Sequence, residues 1–220
     1  VLVPELAVGA ARELDDLRTA GDAAVAALLA ARPRLLVVLG SGPASTEYLH
    51  PFRASFAGFG IPVELRVGSG EPGGPALPLS LAMGMWLLHR AGSTAATLVA
   101  ETIATGAPVE ECVEVGERYA RQPAPVGLLV MGDGSARRSE KAPGYLDPRA
   151  EEFDATVTKA LAGVDASALL ALDPGLAAEL MVAGRAPWQV LAAAAHPGLS
   201  GEVLYDAAPY GVNYTVAVWR

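Results

Sequence analysis

The sequence predicts an α/β fold, with a mostly parallel central sheet and helices on both faces. Three features carry that expectation. Two short continuous apolar runs, Leu35-Leu-Val-Val-Leu and Val126-Gly-Leu-Leu-Val-Met, each stop at a glycine loop, the pattern of a strand buried on both sides. Segments of helical period stand between and after these runs. Two strand-like segments close the chain after a helical stretch, so an antiparallel edge on the sheet is expected as well.

In chain order, Val1-Leu-Val reads as the tail of a strand stopped by Pro4, with its earlier part expected to lie upstream of this numbering. Leu14, Leu17, Val25, Leu28 and Leu29 recur at helical spacing and predict a helix over 9–31. The first buried strand follows over 34–40. Proline and glycine are scattered through 40–78, a loop-rich stretch. Within it, alternation over 61–67 predicts a half-buried strand. A helix over 77–90, a strand over 94–101 and a helix over 109–121 come next. Glu110, Glu111, Glu114 and Glu117 give the last of these a solvated acidic face. The second buried strand spans 126–131. Helices are expected over 149–161, 165–178 and 187–195, and strands over 202–205 and 214–219. No repeat and no sharp boundary divides residues 1–220, which read as one domain.

Composition narrows the classes of function. A chain of 220 residues buries roughly 70% of its unfolded surface, so folding needs neither disulfide nor metal. The net charge is -8 and the pI near 4.9, which argues against a nucleic-acid partner. One cysteine, Cys112, excludes an intramolecular disulfide and a cysteine zinc cluster. No apolar run approaches the ~18–20 residues of a membrane helix. The apolar stretch 23–31 follows Glu13, Asp15, Asp16 and Arg18 rather than a basic head, unlike a signal peptide. A reducing, cytoplasmic setting without a membrane partner is the expectation.

Ligands of open α/β sheets bind beyond the carboxyl ends of strands. Two such ends are Gly40-Ser-Gly-Pro-Ala-Ser and Gly132-Asp-Gly-Ser. Neither has dinucleotide or Walker spacing; a tight turn after a strand is the plainer reading of the first and carries less weight for the second. The segment 132–147 concentrates charge in a charge-poor chain. Asp133, Ser135 and Glu140 are its candidate proton donors and acceptors. Arg137 and Arg138 are candidates to clamp a carboxylate or phosphate, with Lys141 and Ser41 as further ligand contacts. A solvated loop stitched by its own ion pairs is the equal alternative. Of the three histidines, only His50 lies near a strand end, where it is a candidate metal ligand. His89, His196 and Cys112 read as structural. Tyr210, Asn213 and Tyr214 could line a pocket or simply form the turn into the last strand.

The chain resembles the LigB-like superfamily, the class III extradiol ring-cleavage dioxygenases and the related Memo-type proteins, and is most similar to an Ala-rich actinobacterial branch. Four segments carry the resemblance: Val1-Leu-Val-Pro-Glu-Leu, Leu35-Leu-Val-Val-Leu-Gly-Ser-Gly, Leu128-Leu-Val-Met-Gly-Asp-Gly-Ser-Ala and Ala183-Gly-Arg-Ala-Pro-Trp-Gln-Val-Leu. The resemblance implies a phosphorylase-like α/β architecture. In working members it also implies a non-haem Fe(II) held by two His and one Glu, with a further His as acid/base. The first His position would precede Val1. The second falls in 40–45, which holds no imidazole or carboxylate. The acid/base position falls near Ala136, and the third ligand near 183–186, where no Glu or Cys stands. The expectation is therefore a dioxygenase-like protein with a degenerate metal site, binding a small anionic or aromatic ligand in the strand-end cleft. Arg137 and Arg138 would hold the acid, and Tyr210 or Tyr214 would stack on a ring. Two alternatives stay open. One is an active Fe(II) dioxygenase with a relocated site, such as His50 with Asp133 and Glu140. The other is a non-catalytic interaction protein. Assembly as a homodimer is expected on the resemblance alone.

Overall fold

The computed structural model describes residues 2–7, 12–69, 74–93 and 97–220. Its central sheet has four strands in the order β2-β5-β1-β6: β2 (Thr46–Tyr48), β5 (Leu98–Ala104), β1 (Leu35–Gly42) and β6 (Val126–Met131). β1 lies parallel to both β5 and β6, so the carboxyl ends of all three strands share one edge of the molecule. The mixed α/β class is as the sequence predicts.

The alternating pleat of β1 divides the core. Leu36 and Val38 pack with α3 (Leu79–Arg90) and with Val25 of α2 (Asp15–Ala30). Val37 and Leu39 pack with α4 (Val109–Ala120) and α8 (Arg185–Ala194). All four side chains are fully buried, each stabilising the fold by about 1.5–3 kcal/mol relative to exposure. A third cluster joins α5 (Arg149–Gly163), α6 (Ala166–Leu170) and α7 (Pro174–Glu179) to Trp188 and Ala192 of α8.

Several elements depart from the sequence reading. Leu2 and Val3 are not in a strand, and a short helix α1 (Pro4–Ala7) follows them; Val1 lies outside the described residues. The helix expected over 9–31 is regular α-helix only from Asp15, with 8–11 outside the described residues. The loop-rich region contains two extra strands, β2 and β3 (Phe52–Ser55), and the strand expected over 61–67 shortens to β4 (Glu64–Val67), which pairs with β3. The strand expected over 94–101 begins at Leu98 and runs on to Ala104; 94–96 are outside the described residues. The helix expected over 165–178 is two helices. Asp165 caps α6 through Ala168 N–H at 2.9 Å, and Asp173 restarts the chain as α7 through Leu176 N–H at 2.6 Å, with Pro174 in the first turn.

The antiparallel edge is also placed differently. β2 supplies it, pairing with β5. The last strands, β7 (Gly201–Ala207) and β8 (Tyr214–Trp219), form a separate hairpin instead of joining the central sheet. Among the described residues, no strand pairs with the outer edge of β6 or with the outer edge of β8. No helix among the described residues is long and apolar enough to cross a membrane.

Candidate ligand site at the end of β6

Gly40 is the register partner of Met131, so the two glycine loops leave the sheet side by side. The first loop is closed. Ser80, in the first turn of α3, donates its hydroxyl to the Ser41 carbonyl at 2.7 Å. A Cβ at Gly40 would stand 2.5 Å from that hydroxyl oxygen, so glycine is what lets α3 approach. Beyond it, Thr102 donates to the Ala44 carbonyl at 2.8 Å, and Ser45 hydrogen-bonds to Glu111. Ser41 is half-buried under this packing. The loop offers backbone to its own neighbours and no free charged group to a ligand.

The second loop is pinned at several points but leaves the Asp133 carboxylate without a hydrogen-bond or ion-pair partner among the described residues. Gly132 packs against the backbone of Gly184, whose N–H donates to the Asp133 carbonyl at 2.9 Å. Gly134 N–H donates to the Asn213 carbonyl at 3.0 Å, and Asn213 N–H donates to the Ser135 carbonyl at 2.9 Å. The loop is thereby stitched to the turn between β7 and β8. Asn213 is buried, and its amide donates to Asp206 at 2.9 Å.

Ser135 is fully buried. Its N–H and hydroxyl donate to the two oxygens of Asp154, at 2.9 and 2.5 Å. It positions the loop and is out of reach of a ligand. Arg138 also donates to Asp154, at 3.2 Å, and lies 3.7 Å from Glu151. Arg137 faces Asp147 at 3.9 Å, and Asp147 is gripped in turn by Arg149 at 2.7 Å. The Arg149 hydrogen bonds hold the Asp147 carboxyl down at about 2. Arg138 is therefore committed to Asp154, whereas Arg137 has only the longer ion pair to Asp147, and its buried Nε has no hydrogen-bond partner among the described residues. Glu140 and Lys141 are exposed on the outside of the loop. Tyr210 is turned away, donating to Glu13 at 2.7 Å.

Asp133 remains. Its carboxylate has no hydrogen-bond or ion-pair partner among the described residues. It is open to solvent along a groove and walled by protein on its other sides, and those walls push its pKa up. Tyr214 lines the same groove. Burial, reinforced by the nearby Asp133 charge, pushes its phenol up to about 12. The groove has a volume of about 740 Å³ and is otherwise mostly apolar. It runs between β6 and β8, with α2 and α3 on one face and Leu161, Trp188 and Leu191 on the other.

His50 lies at the far end of the sheet. It lines a separate hollow of about 510 Å³ with His89, Arg66 and Leu98. Leu98 opens β5, whereas Asp133 follows the carboxyl end of β6, so roughly 20 Å of strand separates them. The structure does not bring His50, Asp133 and Glu140 together. Among the described residues, no three His, Cys, Asp or Glu side chains are grouped to hold a metal. The donors at the strand ends do not fit a two-His, one-carboxylate iron site, because Asp133 stands there without an imidazole.

Two buried polar networks are not evident in the sequence. Arg185, 1% exposed, donates to the carbonyls of Ala107 at 2.6 Å and Thr105 at 2.8 Å and to Gln189 at 2.9 Å, with no carboxylate among these partners. Glu101 of β5 accepts from Tyr119 and from Arg118, the latter at 2.6 Å. Polar residues inside otherwise regular elements were the only signal. Cys112 is buried, and burial pushes its thiol pKa up, in keeping with a structural role. No protein-family model matches the chain, and no curated protein matches it significantly.

Proposed function

We propose that the chain is a dioxygenase-like α/β protein that binds a small hydroxylated aromatic molecule at the carboxyl end of β6, without the iron triad of working extradiol enzymes. The observation that carries this reading is the pairing of Asp133 with Tyr214 at the end of an apolar groove. Asp133 is a carboxylate with no hydrogen-bond or ion-pair partner among the described residues, and it faces the groove with acceptor oxygens to offer. Tyr214 keeps its proton at neutral pH and serves as a donor. An aromatic hydroxyl that donates to Asp133 and accepts from Tyr214 satisfies both groups, while the ring meets apolar walls. This differs from an anion clamp in that it asks nothing of Arg137 or Arg138.

Calorimetric titration with catechol tests the reading. The unmodified protein is expected to bind it. Asp133→Asn should weaken binding by about 10- to 100-fold, the scale of a lost charge-assisted hydrogen bond, and Tyr214→Phe by about 10-fold or less. No binding by the unmodified protein, or equal binding by Asp133→Asn, sinks the proposal.

A further inference from the structure

We propose that the hollow at the amino end of the sheet binds a phosphate monoester with an apolar organic part, its phosphate held by His50 and His89. The site is separate from the groove at Asp133. Three observations support it.

The first is that two imidazoles face one hollow without partners. The chain entering β3 brings His50, β4 brings Arg66, the end of α3 brings Leu88 and His89, and β5 opens with Leu98. Neither histidine has a hydrogen-bond or ion-pair partner among the described residues. His50 is nonetheless held in place. Its ring stands edge-on to Phe52, with centroids 5.2 Å apart. It also covers Gly68, where a Cβ would lie 2.0 Å from the ring Cε1. Gly68 has a φ of +103°, so both the close approach and the backbone conformation call for glycine there. A ring fixed by packing, with its nitrogens unused, is preorganised to hydrogen-bond a ligand.

The second is the charge of the wall. The chain carries 24 Asp and Glu against 16 Lys and Arg. Yet among the described residues the hollow is lined by two imidazoles, the Arg66 guanidinium and the hydroxyls of Ser93 and Thr97, with no carboxylate. All of these groups can donate hydrogen bonds. Arg66 keeps its ion pair to Glu64 at 3.3 Å, but a guanidinium in the wall opposes a metal cation and favours an anion. Two imidazoles also fall short of the three protein ligands usual at a metal site. The last carbonyls of α3 do not repel an anion strongly, because Ala91, Gly92 and Ser93 N–H groups donate to Leu87, His89 and Leu88 at 3.0–3.1 Å. Donors drawn from several elements suit the multiple acceptor oxygens of a phosphate better than the two of a carboxylate.

The third is the size and floor of the hollow. Its volume of about 510 Å³ lies in the range of small-molecule sites and exceeds what a phosphate ion alone would fill. Met85 and Leu88 are buried beneath it and Leu98 is half-buried. An apolar or aromatic group attached to the phosphate covers that floor.

Calorimetric titration with phenyl phosphate tests the site. The unmodified protein is expected to bind it about 10-fold or more tightly than inorganic phosphate, because the ring gains apolar contact. His50→Ala and His89→Ala should each weaken binding by about 10- to 100-fold. Proton NMR of the unmodified protein makes the test independent of how those variants fold. Phenyl phosphate should shift the imidazole C–H signals of His50 and His89 and leave those of His196, which lies outside the hollow. No binding, full binding by either variant, or a shift of His196 alone overturns the proposal. Equal affinity for inorganic phosphate and phenyl phosphate also overturns it, because the apolar floor then plays no part.

Discussion

The two glycine loops leave neighbouring parallel strands at the same level, yet only one carries a chemical opportunity. The loop after β1 is filled by Ser80 from the helix that packs against it, and every nearby polar contact is made within the protein. The loop after β6 is held as firmly, through Gly184, Asn213 and Asp154, but these partners take backbone groups and Ser135, leaving the Asp133 carboxylate without a partner among the described residues. A glycine after a buried strand therefore marks close packing first. Whether a site results depends on which neighbour packs there, and on whether it brings a partner for the loop's side chain.

The comparison can be pressed from both loops. Gly132→Ala should have the largest effect. Its Cβ would collide with the Cα of Gly184, which is backbone and cannot swing aside, so a loss of about 3 kcal/mol is expected in urea unfolding. Gly40→Ala meets the Ser80 side chain instead. That side chain can rotate at the cost of its hydrogen bond to Ser41, and a loss of about 1–2 kcal/mol is expected. Equal losses would show that the two loops are packed alike, contrary to the contrast drawn here.

The smallest effect concerns charge. The Asp133 pKa is raised on folding, so the unfolded chain releases this proton first, at about pH 3.9. Stability therefore falls as pH rises from that value through the folded pKa, and stays lower above it. Asp133→Asn should remove that fall, gaining stability at pH 7 relative to its standing at pH 3. Solvent in the groove keeps the gain below about 1 kcal/mol. Asp147 acts in the opposite direction: its depressed pKa contributes stability above the ordinary carboxylate range that is lost as pH falls toward about 2. Thermal unfolding of Asp133→Asn and Asp147→Asn across pH separates the two, and the same sign in both would contradict this assignment.

Legibility in the sequence followed the range of the interactions involved. β1, β6, α3 and α4 were readable because a continuous apolar run or an amphipathic stripe is a local pattern. The break between α6 and α7 was also written locally, in Asp173-Pro174, although the apolar period hid it. The site was harder. Asp133 and Tyr214 stood among the candidates, but so did Ser135, Arg137 and Arg138, and nothing local separates a free carboxylate from one that meets two donors. Ser135 was lost as a candidate because Asp154, on α5, reaches it. His50 was lost because β2 turns the chain back along β5 to the amino end of the sheet.

The sequence by itself determined the class of fold, the two central strands and the stretch of chain where polar groups gather, because apolar period and glycine position act over a few residues. Only the tertiary structure decided which of those polar groups are consumed by the protein, that the last two strands stand apart from the sheet, and that a mostly apolar groove lies between β6 and β8. Each of those depends on which distant elements meet, and pairing across a sheet or a helix layer leaves no mark on either partner alone.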